Sequence, residues 1–271
     1  MPQSQAHLHF RTPRPTNPAA PLFIYLPGMD GTGQLLSRQL AGLEQGFDIR
    51  CLAIAFNDLS GWEQLTQQVA QLVETELASH PRRQVYLCGE SFGGCLALKL
   101  ILHSPHLFDY LVLINPASSF SSQPFLHWSS YLVHPLPEPL HRLSCLGFLP
   151  FLAALERMIP NDRAALLEAM RSVSQNTTVW RVSLLRDFQL DEAKLERITQ
   201  PTLIIASQAD RLLPSVLEAK RLMAHIANAQ IHVLPNSGHA CLLETDIDLY
   251  EIMHTSGFLK RTLLATCSDA D

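Results

Sequence analysis

Positive charge is scarce in this sequence. Lysine and arginine number 20 against 25 aspartates and glutamates, charged residues make up only 17% of the 271 positions, and the net charge is −5. There is no basic surplus from which to build a phosphate-binding stripe, which argues against a nucleic-acid partner. No C-x-x-C pair occurs among the six cysteines, at 51, 88, 95, 145, 241 and 267. Several fall in apolar stretches, where a thiol behaves as a small apolar side chain, so a reducing compartment is expected rather than a disulfide scaffold. The 12 histidines, His7 and His9 included, show no metal-ligand spacing, and neither a metal nor an organic cofactor is expected. The longest apolar stretch, 143–155, is too short to span a bilayer and contains Pro150. Residues 1–16 lack an apolar h-region and carry Pro2, Pro13 and Pro15, so no secretory signal is expected. These absences lead to the expectation of a cytoplasmic, non-secreted chain that touches membranes at most peripherally. Oligomeric state is not legible.

With hydrophobic residues at 47%, the chain has ample material for a core. Continuous apolar, β-prone runs at 22–26, 48–54, 84–88, 110–115, 202–207 and 230–234 read as buried strands. Between them lie helical patterns at 34–44, 62–77, 95–103 and 215–224, with a closing helix at 243–258 and at most one short strand at 8–11. Strands alternating with helices predict an α/β fold, a mostly parallel sheet with helices on both faces and a trimmed N-terminal edge. From 117 to 196 the alternation stops, and helical stretches such as 163–175 and 179–188 replace it. That segment is expected to be a helical cap inserted into a core made of 1–116 and 197–271. Its first half, 120–155, is rich in Phe, Leu, Trp and Pro. This reads either as ordinary packing between cap helices or as an apolar acyl or isoprenoid tunnel, or a face that dips into lipid.

The stretch Gly89-Glu90-Ser91-Phe92-Gly93-Gly94 joins a predicted strand to a predicted helix. That context turns a G-x-S-x-G match into a nucleophile elbow, in which a serine sits on a strained turn among residues without side chains. The Phe92 amide then lies at a helix N-terminus, facing any oxyanion formed on Ser91. An earlier strand opens into Pro27-Gly28-Met29-Asp30-Gly31-Thr32-Gly33. A phosphate loop is one meaning, but G-K-[ST] is missing and the spacing is wrong for G-x-G-x-x-G. The other meaning is the second half of an oxyanion hole, with the Met29 amide as donor and Asp30 as the fallback.

A serine hydroxyl needs a base, and the base needs an acid to fix its tautomer. Asp210 follows the strand at 202–207, and His239 stands in a glycine-containing loop after the next strand. Both positions lie past the carboxyl ends of parallel strands, where ligands gather. The order Ser91, Asp210, His239 is the order this elbow uses. Asp187 and Asp246 are rival acids, placed inside predicted helices.

The segments 23–33, 89–98 and 115–120, together with Ser237-Gly238-His239, resemble one branch of the α/β-hydrolase superfamily. That branch is the hydrolase half of the phytyl ester synthase/diacylglycerol acyltransferase-like proteins of plastids and cyanobacteria, and the resemblance runs over about 22–260. It implies acyl chemistry on lipids, with phytol or diacylglycerol among the acceptors. Members of the branch continue into an acyltransferase-like domain marked by a His with an Asp five positions later. No His in this chain has that spacing, so the expectation moves toward a stand-alone esterase, lipase or thioesterase acting on a small-molecule ester or lipid. Acyl transfer is the alternative. A non-catalytic hydrolase-fold protein that binds a lipid or a partner is the reading from another class, and an intact Ser-Asp-His set argues against it.

Overall fold

In the computed structural model the described residues are 8–78, 83–122 and 138–259. His7, Cys267 and part of the apolar stretch expected at 120–155, namely 123–137, lie outside them. Seven strands form one sheet among the described residues: β1 (His9–Arg11), β2 (Leu22–Leu26), β3 (Asp48–Ala53), β4 (Val85–Glu90), β5 (Tyr110–Ile114), β6 (Thr202–Ser207) and β7 (Ala229–Leu234). Their order across the sheet is β1-β3-β2-β4-β5-β6-β7. β1 pairs antiparallel with β3, and the other pairings are parallel. This is the α/β architecture that the alternation of strands and helices predicts.

The apolar runs are continuous because both faces of each central strand are covered. Leu22, Ile24 and Leu26 of β2 join one core with Val85 and Leu87 of β4 and Leu111 and Leu113 of β5. The intervening Phe23, Tyr25, Tyr86, Cys88, Val112 and Ile114 join a second core on the opposite face. The period of two along a strand thus divides one apolar run between two cores.

Helices α1 (Leu40–Leu43), α2 (Trp62–Ala78), α3 (Phe92–His103), α4 (Glu138–Leu152), α5 (Pro160–Ser172), α6 (Gln175–Arg186), α7 (Glu192–Leu195), α8 (Ser215–His225) and α9 (Leu249–Thr255) complete the described elements, with short 3-10 turns between them. α2 lays Leu65, Val69, Ala70 and Val73 on the first core beside α3 and α8. α9 seals the second core with Leu249, Ile252 and Met253. No strand interrupts the described part of 117–196. α4 and α5 share a third cluster with Leu35, Ala240 and Leu243. α4 and α5 therefore sit over the loops that follow β2 and β7, at the carboxyl edge of the sheet.

Several helix boundaries differ from expectation. Residues 34–44 form a 3-10 turn (Ser37–Gln39) and the single turn of α1 instead of one helix. Tertiary bonds fix this segment: buried Gln39 donates to the carbonyls of Leu242 and Ile247 and accepts from the Leu249 amide. The closing helix begins at Leu249, because Arg157 pairs with Glu244 and Asp246 across the preceding turn and Asp248 caps the helix by accepting from Glu251. Pro160 opens α5 and Ser174 caps α6, which moves both helices three or four residues N-terminal of their expected starts.

Candidate active site

β4 ends at Glu90 and α3 starts at Phe92, so Ser91 alone makes the turn. Its backbone has φ 52° and ψ −112°, a conformation that costs an L-residue ~1–3 kcal/mol and persists only where surroundings enforce it. Here the Ser91 amide donates to the Ile114 carbonyl at 3.0 Å, and the Ser91 carbonyl accepts from Gly94 and Ala117 at 3.0 Å each. The glycines make room for these backbone approaches. A Cβ on Gly93 would overlap the Leu26 backbone, and one on Gly89 would overlap the backbone of Gly93.

The three residues predicted from separate loops come together in one hydrogen-bonded chain. His239 Nε2 lies 2.8 Å from Ser91 Oγ, and Nδ1 lies 2.7 Å from Asp210 Oδ2. An ionised carboxylate only accepts, so Nδ1 carries the proton and the Nε2 lone pair faces the serine hydroxyl. Asp210 is itself held: its Oδ1 accepts from the Leu212 and Leu213 amides at 2.8 and 3.0 Å, and Oδ2 accepts from Ser215 Oγ at 2.5 Å. The rival acids stand elsewhere, Asp187 paired with Arg186 and Asp246 with Arg157.

Burial pushes the Asp210 carboxyl up, but the nearby His239 charge and the donated hydrogen bonds hold it below the usual range. His239 moves the other way. Burial disfavours its charge, and the Asp210 carboxylate, with a smaller push from Glu90, raises its pKa above the ordinary value. Glu90 is the unexpected member. It is buried beside the serine, accepts a hydrogen bond from the Tyr25 hydroxyl, and is pushed up to about 7 by burial.

The loop after β2 runs alongside the elbow: a Cβ on Gly28 would stand 3.9 Å from that of Ser91. Met29 is half-buried and packs on the core that holds Phe92. Its amide donates to no backbone carbonyl among the described residues. Asp30 is committed within the loop, its Oδ2 accepting from the Thr32 amide at 2.8 Å and from the Thr32 hydroxyl at 2.5 Å. Phe92 is the first residue of α3, with its ring stacked on Trp62 at 4.7 Å.

Sequence reasoning missed the residues that hold the site together. Asn115, at φ 42°, donates to the Ser207 hydroxyl at 2.8 Å and to the His239 carbonyl at 2.7 Å, and accepts from the Ser207 amide at 2.8 Å. It ties the ends of β5 and β6 to the histidine loop. An asparagine before a proline at a strand end was the available signal, because asparagine tolerates left-handed backbone. Glu244 accepts from the Gly238 amide at 2.8 Å and fixes the same loop from its other side.

A family model described as "Serine aminopeptidase, S33" matches residues 55–246. The chain belongs to the S33 family. Among curated relatives of this S33 protein, Phytyl ester synthase 1, chloroplastic, of Arabidopsis thaliana is 30% identical over 266 residues, covering 90% of this chain and 38% of that protein. The chain thus spans well under half of that relative's length. A protein named as a putative carbamate hydrolase RutD from Pseudomonas savastanoi is 27% identical over 231 residues, covering 82% of this chain and 87% of its own. The solved esterase EaEST from Exiguobacterium antarcticum superposes with a TM-score of 0.72 at 19% identity, over 93% of this chain and 95% of its own. The fold of the S33 protein is that of the α/β-hydrolases.

Proposed function

We propose that the protein is a serine hydrolase that cleaves carboxylic esters through an acyl-enzyme on Ser91. The observation that carries this reading is the unbroken hydrogen-bonded chain from Asp210 through His239 to Ser91. His239 takes the Ser91 proton as Oγ attacks the carbonyl carbon, and Asp210 orients and stabilises the imidazolium that results. The amides of Phe92 and Met29 receive the tetrahedral oxyanion, with each donor contributing ~3 kcal/mol at the transition state. The imidazolium then protonates the departing alcohol, and a water deprotonated by His239 releases the acid.

Long-chain or lipid acyl esters are the proposed substrates. α4, which packs beside Ala240 next to the catalytic histidine, carries Phe148 and Phe151 exposed side by side, with ring centroids 6.0 Å apart, an apolar face that suits an apolar chain better than a charged substrate. Through that face we also propose peripheral contact with a membrane. Among the described residues no helix is long and apolar enough to cross one. The similarity to a relative named as a phytyl ester synthase, over 90% of this chain, favours a second reading, in which an alcohol such as phytol takes the acyl group in place of water.

One assay tests both readings: hydrolysis of p-nitrophenyl esters from acetyl to palmitoyl, with and without phytol, using Ser91→Ala as the blank. Rates that rise with chain length support the lipid assignment, and diversion of acyl groups to phytyl ester supports transfer. Activity confined to short chains and indifferent to phytol would leave a general esterase.

A further inference from the structure

One buried cation at the site is unused by this mechanism. Arg181, in the middle of α6, is 2% exposed. Its Nη1 donates to the Met29 carbonyl at 2.6 Å and its Nη2 to the Ala55 carbonyl at 3.2 Å. The guanidinium presses on Gly31, where a Cβ would meet Nη1 at 2.8 Å. No carboxylate of the described residues forms an ion pair with it; Asp30 and Asp58 act on it only at longer range. A desolvated cation that spends its donors on backbone carbonyls is costly to bury, so its placement calls for a reason.

The contacts supply one. α6 is anchored to the loop after β3 and to the start of α2 by separate polar bonds: Trp180 Nε1 donates to the Ser60 carbonyl at 3.1 Å, and Trp62 Nε1 donates to the Leu184 carbonyl at 3.0 Å. From that fixed base Arg181 reaches across to the loop after β2. Holding the Met29 carbonyl fixes the peptide plane on one side of the Met29 Cα, and this restricts the amide on the other side. Resting on the reading of Ser91 and Met29 given above, the geometry points to Arg181 as a positioning residue that aims the Met29 amide at the oxyanion, so that seating α6 completes the oxyanion hole.

The test pairs Arg181→Met, which keeps the stem and loses both donors, with Arg181→Lys, which keeps the charge but not the fork that spans two carbonyls. Turnover of a short soluble ester is measured per active site titrated with a fluorophosphonate, beside the inhibition constant of an alkyl boronic acid. The boronate adduct on Ser91 is tetrahedral and places an oxygen where the oxyanion would sit. Expected for Arg181→Met is a fall in kcat of about tenfold to a hundredfold with KM within about twofold, and a rise in the boronate constant that matches the fall in kcat/KM. Arg181→Lys should recover part of both. An arginine needed only for packing would lower thermal stability and the fraction of titratable sites but leave kcat per site and boronate affinity at wild-type values, and that result overturns the inference. Should Arg181→Met fail to fold, Arg181→Lys decides alone: wild-type kcat per site in it is the overturning outcome. Ser91→Ala separates the two levels. Residual turnover there removes the assignment on which the inference rests, whereas an inactive Ser91→Ala beside unimpaired arginine variants removes only the role given to Arg181.

Discussion

Replacing Glu90 with glutamine should make the protein more stable at alkaline pH and shift the acid limb of its activity. Burial raises the Glu90 pKa from the ordinary 4.5 to about 7, while the Tyr25 hydroxyl bond and the nearby His239 oppose the rise. A carboxyl whose folded pKa lies above its unfolded value binds its proton more tightly in the folded chain. Its stabilising contribution is therefore complete below pH 4.5 and is lost as pH climbs through about 7, a swing of ~3 kcal/mol. Glutamine has nearly the same shape, keeps an oxygen to accept from Tyr25, and does not ionise. The stability difference between Glu90→Gln and wild type, from urea unfolding at pH 4.5 and pH 8.5, should move by about 3 kcal/mol in favour of the variant at the higher pH. Activity supplies a second reading. Glu90 charge helps to raise the His239 pKa, and His239 must be neutral to act as base, so the acid limb of kcat/KM in the variant should lie at lower pH. A stability difference that is the same at both pH values, with an unmoved acid limb, would refute the electrostatic reasoning.

Three other substitutions probe the frame of the site. Asp210→Asn should leave thermal stability close to wild type and lower kcat by ~10⁴, read in the p-nitrophenyl acetate assay, because the amide no longer fixes the histidine tautomer. Gly93→Ala should cost about 3 kcal/mol or more in urea unfolding, because its Cβ would overlap the Leu26 backbone. Asn115→Ala removes the side-chain bonds to Ser207 and to the His239 carbonyl and should cost ~3 kcal/mol, with kcat falling more than stability alone explains once rates are normalised to fluorophosphonate-titrated sites.

The sheet was legible because each of its central strands is buried on both faces and so reads as an unbroken apolar run. The candidate site was legible because Ser91 directly follows β4, and Asp210 and His239 lie in the loops just past the carboxyl ends of β6 and β7, where a parallel sheet concentrates its functional loops. Helix boundaries were harder to read. Although the Asp248 cap of α9 is itself a local signal, α1 and the turn before α9 are set by side-chain bonds between distant segments, Gln39 to the 242–249 turn and Arg157 to Glu244 and Asp246, and no local pattern encodes such bonds. The same holds for Arg181, which in the sequence is one charged residue in a predicted helix and in the fold is the bridge to Met29. Glu90 was in plain view inside the G-x-S-x-G match, yet its burial follows only from the neighbouring strands that place Tyr25 beside it.

The most direct test of the central claim is to look for the covalent intermediate. Rapid acid quench of the enzyme with p-nitrophenyl octanoate, followed by intact-protein and peptide mass spectrometry, should reveal one octanoyl group on the peptide containing Ser91, absent from Ser91→Ala and formed far more slowly in a His239→Ala variant. Turnover of the ester with no acyl adduct on Ser91, or with the same adduct persisting elsewhere in Ser91→Ala, would contradict the account.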